Sequence, residues 1–263
     1  MIQLAVSDRP MVRHLIRIGE ISLDYLEVTG SYANSAPDEF PHQPFLLHNP
    51  IWNWSLAHRD CLNQKNALAT SQHMIDCLQV PWLSLHLGFS AEEVMFDERM
   101  KPATPLLSQD AVFETICDNL KVFVSAIPVP ILIENLDYNP GGAYEYICHP
   151  AFIASVLETT NLAFLLDIAH ARVSATRLGM PINDYLDQLP FERVRQIHVS
   201  GPRWQNGLLI DAHESLLDED YVLLESVLKK TEPCAVTLEY GKEEAVLKKE
   251  LSRLKDVLGH TVH

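Results

Sequence analysis

The run "LAFLLDIAH" (residues 162–170) is apolar almost without interruption until Asp167 and His170. A strand-length segment of this kind has no polar face to give to water, so it predicts a strand covered on both sides, as in a parallel sheet. The same pattern recurs along the chain: "IQLAVS" (2–7), "DYLEVT" (24–29), "PFLLHN" (44–49), "WLSLHLG" (82–88), "VPILIEN" (129–135), "RVRQIHVSG" (193–201) and "PCAVTLEY" (233–240). Segments with helical spacing lie between them, among them 108–126, 145–159, 182–189 and 242–258. Eight strand–helix units in 263 residues predict an α/β chain folded as one (β/α)₈ TIM barrel, spanning 1–263, rather than an open doubly wound sheet.

Composition agrees with a globular domain: 47% hydrophobic and 21% charged residues. The five cysteines, Cys61, Cys77, Cys117, Cys148 and Cys234, are scattered and form no CxxC pair. They read as reduced thiols rather than a disulfide framework or a thiolate metal site. The opening "MIQLAVSDRP" lacks the basic and apolar regions of a secretory signal, and no apolar run has membrane-spanning length. A soluble, cytoplasmic protein is expected, with no membrane partner. The formal net charge of −15 opposes a polyphosphate backbone, so nucleic acid is not the expected partner. The longest irregular stretch, "FSAEEVMFDERMKPATPLL" (89–107), follows the fourth run and is expected at the rim, where it could meet a substrate.

Almost every apolar run ends in a group able to hold a metal. His48 closes the third, His86 the fourth and Glu134 the fifth; Asp167 and His170 follow the sixth. His198 lies in the seventh, Asp211 and His213 in the loop after it, and Glu239 ends the eighth. In a parallel barrel these carboxyl ends open on one face, where catalytic groups collect. So many imidazoles and carboxylates suit two or three metal ions sharing bridging carboxylates; Fe, Zn and Mn all accept such ligands. Taken singly the signals are weak, since His48 could be an ordinary rim histidine. Glu134 is harder to explain otherwise, because a carboxylate ending an apolar strand is costly to bury without a cation. Glu27, closing the second run, and Asn135, following Glu134, are assigned to substrate binding or support rather than to ligation. No residue is singled out as a catalytic acid or base. A GxSxG elbow, a GxGxxG turn ("NPGGAY", 139–144, is not one) and a Walker loop are all missing, which removes the usual hydrolase and nucleotide readings.

The set "LLHN", "SLHLG", "ILIEN", "LLDIAH", "QIHVSGP", "LIDAH" and "TLEY" resembles the xylose isomerase-like barrel superfamily, and within it the multinuclear non-heme iron-dependent oxidases. The resemblance spans nearly the whole chain and is most specific from Ile131 to Tyr240. It implies two or three irons at the barrel mouth and use of dioxygen to modify residues, often cysteines, of ribosomally made peptides. It also implies a partner protein that presents the substrate. Carried over residue by residue, it makes His48, His86, Glu134, Asp167, His170, His198, Asp211, His213 and Glu239 the ligands, with Glu134 bridging. The same nine positions resemble the trizinc cluster of endonuclease IV, where metal-bound hydroxide attacks a phosphodiester, and the chain carries His170 where many oxidases have Asn. A sugar isomerase or epimerase using one or two divalent metals is a third reading of the same barrel. The wording around Ile197–Gly201 and Ile210–His213, with the negative charge, favours the oxidase.

Overall fold

The computed structural model describes residues 1–30, 32–92, 104–138 and 142–260. Eight parallel strands close a barrel: β1 (Gln3–Ser7), β2 (Tyr25–Val28), β3 (Phe45–His48), β4 (Leu83–His86), β5 (Ile131–Glu134), β6 (Ala163–Asp167), β7 (Val194–Val199) and, after a hairpin, β10 (Ala235–Leu238). β10 lies between β7 and β1, with Leu4 beside Val236, so no edge is left open. Each predicted run contains its strand. The outer layer is α1 (Pro10–Arg17), α2 (Ala36–Glu39), α3 (Ala67–Leu78), α4 (Gln109–Ala126), α5 (Pro150–Thr160), α6 (Ile168–Arg177), α7 (Ile182–Leu186), α8 (Asp218–Leu228) and α9 (Glu244–His260). Strand residues such as Leu26, Leu83, Ile133 and Phe164 are wholly buried between barrel and helices, as unbroken apolar strands require.

Three boundaries differ from expectation, each for a local reason. The sixth run stops being strand at Asp167, because its side chain caps α6, Oδ1 accepting from His170 N at 2.7 Å. His170 therefore stands on the first turn of a helix. The helix expected from 145 begins at Pro150, which lacks an N–H and suits a first helical position. The segment after β7 is not a loop but an antiparallel hairpin, β8 (Gly201–Gln205) and β9 (Leu208–Glu214). Its turn is Asn206–Gly207, both at positive φ (51° and 78°), the dipeptide that favours a two-residue hairpin turn. At its base Gly201 has no room for a side chain: a Cβ would lie 2.2 Å from the Ser215 carbonyl oxygen.

Residues 93–103 of the long stretch expected at the rim, and 139–141 of "NPGGAY", lie outside the described residues. The ends of the long stretch meet, Ala91 bridging Leu106. All five cysteines are free, and no described helix is long and apolar enough to cross a membrane.

Behind the hairpin, Glu250 of α9 is buried, Oε1 accepting from Leu216 N at 2.6 Å and Oε2 without a partner. Burial, with Asp220 nearby, pushes its carboxyl up to about 7. Below the ordinary value of 4.5 it is protonated folded or unfolded; between 4.5 and about 7 only the unfolded chain loses the proton. Stability from this group is thus full in acid and lost as pH rises through 7. Glu250→Gln keeps an acceptor for Leu216, so melting temperatures of variant and wild type should agree near pH 4. They should separate by pH 8, with the variant the more stable; parallel curves would reject the assignment.

Candidate metal centre

Strand register assembles the centre. His86 lies beside Glu134 across β4 and β5, and Asp167 beside His198 across β6 and β7. The hairpin returns Asp211 and His213 over the mouth, with Lys242 Nζ held on the Ala212 carbonyl oxygen (3.0 Å) and on Glu214 (2.6 Å). His213 sits at φ 45°, an uncommon conformation outside glycine and a form of strain that collects at functional sites. There its Nε2 is 3.2 Å from both Asp211 Oδ2 and Glu239 Oε2.

All nine predicted ligand side chains converge on this mouth, and their hydrogen bonds decide which atoms face inward. Ser84 Oγ donates its proton to the Leu47 carbonyl (3.3 Å), so it accepts from His48 Nδ1–H at 2.9 Å. His48 Nε2 is left 3.2 Å from Glu134 Oε2, and His86 Nε2 is 3.3 Å from the same oxygen. His170 Nδ1–H donates to the Asn135 carbonyl at 2.8 Å, leaving Nε2 3.5 Å from Asp211 Oδ2. His198 turns the other way: Nε2 contacts Glu27 at 2.9–3.1 Å, and Nδ1 lies 3.6 Å from Glu134 Oε1 and 3.6 Å from Glu239 Oε2.

The carboxylates follow one rule, with one oxygen tied down and the other offered. Asp167 Oδ1 caps α6, Asp211 Oδ1 accepts from Ser200 Oγ (2.7 Å) and Glu239 Oε1 from Ser7 Oγ (3.2 Å). Glu134 instead offers both oxygens, Oε2 toward His48 and His86, Oε1 toward His170 (3.4 Å) and His198.

Around the centre, Glu27 Oε1, Glu134 Oε2, Asp167 Oδ2 and His198 Nδ1 are buried without a hydrogen-bond partner. Leaving each unpaired costs about 1–3 kcal/mol, and native proteins hold few such atoms. Glu134, Asp167 and His198 also form one of three groups whose ligand atoms fall within 4.8 Å of one another; the others are His48, His86 and Glu134, and Glu27, His198 and Glu239. The charges are equally crowded. Burial, reinforced by Asp211, Glu239 and Glu134, pushes Asp167 up to about 7 against the pull of His170. Burial would also raise Glu134, but His48 and His86 outweigh it and hold the carboxyl well below its usual range. Burial lowers His86 to about 4, whereas Glu239 and Asp211 overcome burial and raise His213 to about 9. A buried cluster with several uncommitted ligand atoms and mutually repelling acids fits divalent cations, which supply the missing partner and charge.

Asn135 and Glu27, expected to bind substrate or support the site, both hydrogen-bond to residues of the site itself. Asn135 is wholly buried, its Nδ2 donating to the Asp167 carbonyl and its Oδ1 accepting from Asp167 N, both at 2.9 Å. It clamps the ends of β5 and β6 and has no polar atom left for a substrate. Asn135→Ala leaves the buried Asp167 N–H without its acceptor, at about 1–3 kcal/mol; a denaturation midpoint equal to wild type would reject this role. Glu27 is 2% exposed, below the mouth, where Gln196, Thr237 and His198 surround it. It contacts His198 and is not part of the wall of the cavity over the centre. Gln196 and Thr237 both donate to its Oε2.

A cavity of about 690 Å³ opens over the centre, reaching His48, His86, Glu134, His170, His213 and Glu239. Its walls include Trp52, Trp54, Phe89 and Tyr144, and Trp52 is 76% exposed. Asp137 also lines it; burial raises this carboxyl, while His170 opposes the rise. Sequence reasoning missed Asp137, Ser84 and Ser200. Their signals were an acid three residues beyond Glu134 and serines interrupting or ending apolar strands.

The barrel is shared widely. A D-tagatose 3-epimerase-like protein superposes with TM-score 0.67 at 16% identity over 99% of this chain and 98% of its own. Endonuclease IV from Thermus thermophilus gives 0.63 at 18%, over 98% and 99%. At such identities the likeness is one of fold, the closed (β/α)₈ barrel. A UPF0276 protein of Paraburkholderia phytofirmans is 29% identical over 164 residues, 60% of this chain and 52% of that protein. The chain spans about half the length of the curated relatives it matches. The profile of "RiPP precursor modification enzyme MbnB/TglH/ChrH" matches residues 20–258, taking in every barrel strand but β1 and all nine side chains at the mouth. With that span, the chain belongs to the MbnB/TglH/ChrH family of RiPP precursor modification enzymes.

Proposed function

We propose that this chain is a multinuclear iron-dependent oxidase that uses dioxygen to modify a thiol-bearing residue of a peptide, in the cytoplasm and with a partner protein presenting the peptide. The observation that carries the polynuclear reading is Glu134, whose Oε2 faces Nε2 of His48 and His86 and whose Oε1 faces Nδ1 of His198. The family supplies the peptide substrate class.

His48, His86 and Glu134 Oε2 would hold one ion; Glu134 Oε1, Asp167 Oδ2 and His198 Nδ1 a second. His170 Nε2, Asp211 Oδ2 and His213 Nε2 would hold a third, with Glu239 between the last two. Bound iron supplies redox equivalents and open positions for a thiolate and dioxygen. The chain's own part is to bind and orient. Ser84, Asn135 and Glu27 fix three imidazoles, and the aromatic walls receive an apolar peptide segment and exclude water around the thiol. Asp137, beside the mouth, can accept the proton a thiol releases on binding.

Phosphodiester hydrolysis is the second reading, favoured by His170 completing a third group. Against it, Arg9 is the only Lys or Arg among the described residues lining the cavity. Metal analysis of protein purified without oxygen, from cells supplied with iron, zinc and manganese, separates the two. Two or more irons per chain support the oxidase, and two or three zincs with little iron move the conclusion to hydrolysis. Less than one metal in total defeats both.

A further inference from the structure

A polar chain runs through the barrel beneath the centre, where apolar packing would be the less costly choice. Trp82, just before β4 at the opposite end of the barrel, donates its indole N–H to Gln196 Oε1 at 2.8 Å. An indole nitrogen can only donate, so this bond fixes the Gln196 amide with Nε2 pointing up the barrel. Gln196 is wholly buried and lies two residues before His198 on the same face of β7. Its Nε2 donates to Glu27 Oε2 and to Thr237 Oγ1 (2.9 Å). Its 3.1 Å approach to His198 Nε2 is a contact of two donors when that nitrogen carries hydrogen. Among the described residues Glu27 is then the one acceptor available to His198 Nε2–H, which leaves Nδ1 toward Glu134 and Glu239.

We infer that Gln196, oriented by Trp82, is a positioning residue for the metal centre: through Glu27 it keeps the His198 proton on Nε2 and presents Nδ1 to the ion. The inference rests on the metal-centre reading above. It accounts for His198 facing the centre through Nδ1, whereas His48 and His170 do so through Nε2. It also explains a glutamine in the core of a barrel strand: leucine would pack there, but would leave Glu27 short of a donor and His198 free to turn over.

The test uses the full chain, ring-¹⁵N-labelled at histidine and loaded with zinc as a diamagnetic probe. Long-range ¹H–¹⁵N spectra are recorded alongside chelator competition. Wild type should show one histidine bound through Nδ1 with a hydrogen-bearing Nε2. In Gln196→Met, which keeps the length without polar atoms, that signal should broaden or vanish and zinc affinity should fall at least about tenfold. Trp82→Phe, which frees the amide to flip, should do the same to a lesser degree, and it carries the test should the first variant fail to fold. A merely structural glutamine would lower the melting temperature of metal-free protein and leave the His198 signal unchanged. Zinc bound by wild type, with both variants keeping that signal and an affinity within about twofold, overturns the inference while the metal reading stands. Wild type that binds no zinc, iron or manganese overturns both.

Discussion

Replacing Glu134 with alanine is expected to remove more than one metal equivalent per chain and to abolish turnover. Glu134 offers both carboxylate oxygens to the centre, Oε2 beside Nε2 of His48 and His86 and Oε1 beside Nδ1 of His198. Its loss takes a ligand from two groups at once, whereas His86→Ala should reduce occupancy of one. The protein should still fold, because the barrel strands around Glu134 are held by apolar packing and by their ladders. The measurement is metal per chain by mass spectrometry on the folded variant. Loss of no metal would refute the bridging assignment, and loss of a single equivalent would make Glu134 a terminal ligand.

The second large effect is expected at Glu27, which stands outside the nine proposed ligands and contacts His198. Glu27→Gln replaces the acceptor for His198 Nε2–H by an amide that can turn a donor toward it. Substitutions that disturb the orientation of a ligating histidine typically cost 10–100-fold in metal affinity, and a loss of that order is expected here. Chelator competition on wild type and variant gives the figure. An affinity unchanged within about twofold would return Glu27 to the role of filler. A complete loss of one ion, with the others kept, would make it a ligand alongside His198 and Glu239.

Much of this was legible in the sequence. An apolar run such as "ILIEN" carries its own burial pattern, and its polar terminus marks the end that opens on the mouth. Strand, direction and candidate ligand can be read together, which is why all nine candidates meet in the structure. The hairpin is legible too, through Asn206–Gly207 between two strand-like runs, although Gly201 and Pro202 at its start suggest a loop. For Glu27 and Asn135 the sequence leaves substrate binding and support both open, because a polar residue at a strand end looks the same whether it faces the cavity or the chain. Asn135 is committed to the backbone of Asp167, 32 residues away, and Glu27 to a histidine 171 residues away.

The sequence by itself determined the eight strands, their closure and the ring of imidazoles and carboxylates, because period and polarity are local properties that survive without neighbours. Only the tertiary structure decided which nitrogen of each histidine faces inward and which carboxylate offers one oxygen or two. It also decided that six of the nine, with Glu27, fall into overlapping sets. Those choices belong to hydrogen bonds between side chains brought together by barrel closure. A proton goes to whichever acceptor the fold places nearest, and no local pattern records that neighbour.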